Sequence, residues 1–123
     1  MEVSKKVVFI KDWILNYVNS MPVKAQSLVI GISGGIDSSV TSTLCAMTGL
    51  KTIVLTMPIK QNKEQNDLSL LHNKWLSDKF NNVESHSLEL DNVFKNFENT
   101  LSNFKSEHGM ANSRARLRMT TLY

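Results

Sequence analysis

At 123 residues, 41% apolar and 20% charged, the chain is long enough for one small domain with a real core, and its composition is neither that of a disordered tract nor that of a fibre. A net charge of +3 and a pI of about 9.1 suit anionic nucleotides as readily as nucleic acid, and no apolar run is long enough to span a membrane. The lone Cys45 excludes an internal disulfide and fits a reducing cytoplasm, as a small buried residue rather than a reactive one.

The first stretch, MEVSKKVVFIKDWILNYV, mixes Lys, Asp and Trp into its apolar pattern and so is no signal peptide. Ile10, Trp13, Ile14, Tyr17 and Val18 recur at helical spacing, which predicts a helix over Lys5 to Ser20, broken by Met21-Pro22. Leu28, Val29, Ile30 and Ile32 are mostly β-prone, so 27–33 reads as a strand buried on both faces. A turn at Gly34 and Gly35 leads into a helix from Ile36, with Val40, Leu44 and Met47 on one face and Gly49 as its stop. Lys51 to Met57 is a second buried strand, closed by Pro58 and followed by a polar loop over 58–66. A helix over Asp67 to Phe80 carries the stripe Leu68, Leu71, His72, Trp75, Leu76 and Phe80. A short strand covers Val83 to Ser87, and a helix over Leu90 to Phe104 is apolar along Val93, Phe94, Phe97, Leu101 and Phe104. After a loop over 105–110, Asn112 is suited to cap a last helix, SRARLRMTTLY.

Alternation of strand and helix predicts an α/β fold, an open parallel sheet with helices on both faces. Ligands of such sheets sit beyond the C-terminal ends of the strands, and the strand ends at Ser33 and Met57 carry polar loops. Three strands with the first at an edge leave the crevice without a second half. The expectation is therefore one catalytic domain over 1–123, the first half of a larger one.

The strand-to-helix turn reads Ser33-Gly34-Gly35-Ile36-Asp37-Ser38. It lies where backbone N–H groups and the positive end of a helix dipole converge, a setting that binds phosphate. No Lys follows the glycines, so it is not the G-x-x-x-x-G-K-[ST] loop, nor does it spell G-x-G-x-x-G. Asp37 suits either a metal ion or a helix start.

S-G-G-x-D-S resembles the pyrophosphate loop of the ATP pyrophosphatases, which cleave ATP between the α- and β-phosphates. LTMPIKQN after the second strand and ANSRARLRMTTLY near the end together resemble the NAD+ synthetases, with an M-P turn and an N-x-x-x-R-x-R-M helix followed by an aromatic residue. The resemblance runs from Leu28 to Tyr123. It implies that ATP adenylates the nicotinate carboxylate of deamido-NAD+ with loss of pyrophosphate, and that ammonia then displaces AMP. It implies Mg2+ as cofactor on Asp37, and ATP contacts at Gly31, Ile32, Ser33, Gly34, Gly35, Ile36, Asp37, Ser38 and Met57. It places deamido-NAD+ on Asn112 and Arg116 and implies a homodimer, with no nucleic-acid or membrane partner. Ammonia is itself the nucleophile, so no catalytic Ser, Cys or His is expected. Only a helix and a turn precede the loop, which favours the ammonia-dependent form over the glutamine-dependent one. Members of the family often carry an Arg where this chain has Thr56.

Helical spacing separates the three arginines: Arg114 and Arg118 share a face, whereas Arg116 shares the other with Asn112. That leaves the 114/118 pair for solvent, a carboxylate or a partner subunit. The rival readings are another ATP pyrophosphatase, tRNA-thiolating or GMP-synthetase-like, and a non-catalytic nucleotide-binding module.

Overall fold

The central strand decides the architecture. In TIVLT, alternate side chains point to opposite faces, and in the computed structural model, which describes residues 2–59, 63–104 and 106–123, both faces are covered. The elements are α1 (Val3–Ser20), β1 (Leu28–Ile32), α2 (Ile36–Met47), β2 (Thr52–Thr56), α3 (Lys63–Lys79), β3 (Val83–Ser87), α4 (Asp91–Thr100) and α5 (Glu107–Leu122). Among the described residues the sheet has the order β1-β2-β3, all parallel, with Leu28 opposite Thr52 and Thr52 opposite Val83.

Val54 meets Ile32, Ala46 and Leu76 in one core layer, under α2 and α3. Leu55 joins Met57, Ile59, Leu90, Phe94 and Met110 in the other, where α4 and α5 pack. Helices on both faces of a parallel sheet are the expected fold class. α1 lies outside, against α2, and among its described residues buries Val18.

Several local expectations give way to packing. β1 is half open rather than buried on both faces. Val29 is 39% exposed, whereas at Gly31, two residues on along the same face, Leu122 of α5 lies 3.7 Å from an added Cβ. α2 turns Ser42, Cys45 and Ala46 inward and leaves Val40 and Met47 exposed; small residues let the helix approach the sheet. α3 likewise buries Ser69, Asn73 and Leu76, while Leu68, Leu71 and Trp75 face out. It also starts at Lys63, ahead of the expected Asp67, which shortens the polar loop; residues 60–62 of that loop lie outside the described residues. α4 ends at Thr100, and Phe104 is 86% exposed beyond it.

The largest correction is at α5. Its N-cap is Ser106, whose Oγ accepts a hydrogen bond from the Gly109 N–H at 3.1 Å. Asn112 sits within the helix and caps nothing, and the expected loop over 105–110 is mostly helical, Lys105 lying outside the described residues. Gly109 and His108 gave the look of a loop. A serine hydroxyl at the right position outweighs the poor helix propensity of one glycine.

Candidate nucleotide cleft

The loop that joins β1 to α2 is bonded to itself. The Ser33 N–H donates to Ser38 Oγ at 3.1 Å, the Gly35 N–H donates to Ser33 Oγ at 3.2 Å, and the two hydroxyls stand 3.2 Å apart. Ser38 Oγ and Ser39 Oγ both donate to the Gly35 carbonyl, at 3.3 and 2.9 Å. The first intrahelical bond runs from the Ser39 N–H to that carbonyl, so the amides of Ile36, Asp37 and Ser38 precede it and stand at the positive end of α2. A loop fixed in this way presents its donors without needing to be ordered by a ligand.

The two glycines differ in purpose. Gly34 has φ +91°, and a Cβ there would stand 2.6 Å from the Gln65 carbonyl and 3.2 Å from Ser69 Oγ. Its lack of a side chain lets α3 close under the loop. Gly35 is the N-cap of α2, with φ −87° and ψ 171°, and an added Cβ there would meet only Ser33 Oγ, at an ordinary 3.4 Å. Packing therefore does not demand a glycine at 35. Asp37 lies exposed in the first turn of α2, with no side-chain capping bond at that helix start. Of its two open roles the cap is filled by Gly35.

Between this loop and α5 opens a cleft of 580 Å³. Gly31, Ile32 and Ser33 line it from β1, Met57 and Ile59 from the end of β2, and Arg118, Met119 and Leu122 from α5. Four of the expected ATP residues, Gly31, Ile32, Ser33 and Met57, thus share one wall; Gly34, Gly35, Ile36, Asp37 and Ser38 continue the loop from there. Met57 is 4% exposed and its Cε would be 3.0 Å from a Cβ at 31, so Gly31 makes room for the cleft floor. Thr56 faces the other way, its Oγ1 accepting from Asn73 Nδ2 at 2.8 Å in the α2/α3 layer.

α5 distributes its arginines to three places. Arg114 lies over the Phe94 ring at 5.8 Å. Arg116 borders a separate groove of 250 Å³ with Val93, Phe94, Phe97, Leu117 and Thr120. Arg118 enters the main cleft, and its Nε donates to the Met57 carbonyl at 2.9 Å. Burial lowers the Arg118 pKa from its ordinary value, the Arg114 charge lowers it further, and Asp91 opposes both; arginine stays protonated all the same. The spacing argument correctly separates Arg116 from the other two, yet it leaves Arg118 for solvent, a carboxylate or a partner, and that is corrected here. The signal for Arg118 was available: it recurs at helical spacing with Ala115 and Leu122 on the side of α5 that lines the cleft, where a charge needs a reason. Gln65, also in the cleft, had no sequence signal. Asn112 is exposed and does not line the cleft.

Burial raises the Cys45 thiol pKa, which suits an inert core residue. His72 bonds Ser42 across α2 and α3. Among the described residues no cluster of three His, Cys, Asp or Glu could hold a metal by itself, and no helix is long and apolar enough to cross a membrane.

The NAD synthase family matches residues 6–123 of this chain. An NH3-dependent NAD+ synthetase of Finegoldia magna is 35% identical over 125 aligned residues, which take in 100% of this chain and 48% of that protein. The structure of an NH3-dependent NAD synthetase from Campylobacter jejuni in complex with the nitrate ion is 30% identical, with a TM-score of 0.84 over 100% of this chain and 51% of that one. The structure of an NMN synthetase from Francisella tularensis is 33% identical, with a TM-score of 0.75 over 98% of this chain and 46% of that one. The chain spans about half the length of the curated relatives it matches over its whole length.

Proposed function

The chain belongs to the NAD synthase family, and from that premise we propose that it holds the adenylating site of an ammonia-dependent NAD+ synthetase. A nicotinate carboxylate is a poor electrophile. Its oxygen attacks the α-phosphorus of ATP, pyrophosphate leaves, and the acyl-adenylate so formed has AMP as a good leaving group. Ammonia adds to the acyl carbon, AMP departs, and one proton is lost to give the amide. The protein then needs no nucleophile of its own. It must orient two anionic substrates and neutralise charge on the departing pyrophosphate.

The observation that carries this reading is the pre-bonded Ser-Gly-Gly loop at the N-terminus of α2, opening on the 580 Å³ cleft. The amides of Ile36, Asp37 and Ser38 and the dipole of α2 suit pyrophosphate. Gly31, Ile32, Ser33 and Met57 form a wall for the rest of the nucleotide, and Gly35 leaves the loop backbone open to approach. Asp37 fits Mg2+, because that ion commonly takes one or two carboxylates and completes its shell with phosphate oxygens and water. Bound there, Mg2+ supplies charge neutralisation on the phosphates. Asn112 and Arg116 are assigned to deamido-NAD+, Arg116 from the side of its aromatic groove, a body of suitable chemistry for a pyridine ring beside a cation. Phe104, 86% exposed beyond α4 and outside both grooves, is a candidate for a homodimer surface, and the lone buried Cys45 is in keeping with the cytoplasm.

The test is turnover of the full-length protein with deamido-NAD+, MgATP and ammonium. Asp37→Asn should abolish pyrophosphate release while changing stability by no more than about 1 kcal/mol, the worth of a charge at a helix start. Wild-type turnover in that variant would remove the Mg2+ assignment. Arg116→Gln should raise KM for deamido-NAD+ far more than KM for ATP; a defect confined to ATP would place the dinucleotide elsewhere. Preference for the deamidated mononucleotide, the substrate class suggested by the Francisella relative's name, would overturn the choice of dinucleotide.

A further inference from the structure

Among the described residues that line the main cleft, Arg118 is the one with a charged side chain, and none is acidic. A guanidinium set among Ile32, Met57, Met119 and Leu122 has lost water and needs partners. It carries five N–H donors. The Nε donor is satisfied by the Met57 carbonyl at 2.9 Å, and the two Nη groups bond no described residue. Asp91 acts on Arg118 through its charge, and Arg114 opposes it. The cleft therefore contains a cation whose plane is held by a bond to Met57 and whose Nη donors bond no other described residue.

We propose that Arg118 is a ligand of the ATP phosphate chain, facing the Ser33–Ser38 loop from α5, with the Met57 carbonyl holding its guanidinium plane in place. The proposal rests on the reading of this cleft as the ATP site. Its chemical basis is the fit of a planar fork to phosphate oxygens, which a fixed plane improves by lowering the entropy lost on binding. The loop then supplies neutral backbone donors from one side and Arg118 a full charge from the other. Arg116, a turn-half away on the same helix, borders a different groove and has no part in this contact.

The test is calorimetric titration of the chain with MgATP and, separately, with adenosine. Arg118→Gln should weaken MgATP binding about 10- to 100-fold, the span of a hydrogen bond to a charged group, and leave adenosine binding unchanged. Arg118→Lys, which keeps the charge and loses the fork, should restore part of the loss. Equal weakening of both ligands would overturn the proposal and make Arg118 only a brace for the Met57 turn. Unchanged MgATP affinity, or a loss confined to deamido-NAD+, would overturn it as well. If Arg118→Gln does not fold, Arg118→Lys carries the same comparison, its ATP loss exceeding its adenosine loss. Failure of the wild-type chain to bind MgATP would overturn the ATP reading of the cleft itself; wild-type binding with unaffected variants would remove Arg118 alone.

Discussion

Gly34 and Gly35 stand side by side in the sequence and answer to different forces. At 34, φ is +91° and the Gln65 carbonyl occupies the space of a Cβ. Gly34→Ala must strain the backbone and push α3 away, so unfolding measurements should show a loss of about 1–3 kcal/mol or more. At 35 the backbone is ordinary and the space is open. Gly35→Ala should cost less than about 1 kcal/mol, the difference between glycine and alanine at an N-cap, while Gly35→Val should weaken ATP binding by filling the approach to the loop. If both changes cost the same stability, α3 does not close on Gly34. The sequence motif marks both glycines as phosphate residues. It cannot separate them, because the neighbour that makes Gly34 obligatory comes from residues 65–69.

At the scale of the element, period is legible and phase often is not. α2 and α3 both lie where alternation and spacing predict them, within a few residues. α2 turns inward a face of small residues, Ser42, Cys45 and Ala46, and α3 buries Leu76 of its expected stripe together with the small or polar Ser69 and Asn73, leaving Leu68, Leu71 and Trp75 outside. Close approach favours small side chains, and a pattern that scores hydrophobicity alone passes over them. Helix ends are likewise decided by single bonds. The start of α5 is set by Ser106 Oγ and the Gly109 N–H, so Ser106→Ala should destabilise the fold by about 1 kcal/mol in denaturant titrations. Asn112→Ala, inside the helix and exposed, should be neutral or stabilising by a few tenths to about 0.7 kcal/mol. The opposite order would return the cap to Asn112.

For the molecule as a whole, the parallel sheet and its candidate site at the strand ends were readable because β2 has an apolar, mostly β-branched centre between two threonines and a glycine-rich turn follows β1. The bond from Arg118 to the Met57 carbonyl was not, since it depends on how α5 crosses the sheet. On one face of the sheet, α3 is tied to the loop helix α2 by a polar contact, Ser42 Oγ to His72 Nε2 at 2.8 Å. Ser42 is fully buried and its Oγ also donates to the Ser39 carbonyl at 3.1 Å, one residue past the loop. Burial lowers the His72 pKa from the ordinary histidine value, and the other residues lining the groove it borders, Val7 and Ser39 to Met47 among them, carry no charge. With the folded pKa below the unfolded one, the unfolded chain binds the proton first. The contribution of His72 is whole above the ordinary histidine range and is lost as the pH falls from there through the depressed value. Glu84 leaves at lower pH: a hydrogen bond from His86, and then the Lys51 charge, hold its carboxyl below the usual value. Thermal melts between pH 8 and about 5 should therefore show wild-type Tm declining through the histidine window, with a shallower decline in His72→Gln, which keeps a donor for Ser42 and has no proton to take up. Parallel Tm profiles for the two proteins would mean that His72 titrates alike in the folded and unfolded chains, and that its bond to Ser42 adds no pH dependence to the fold.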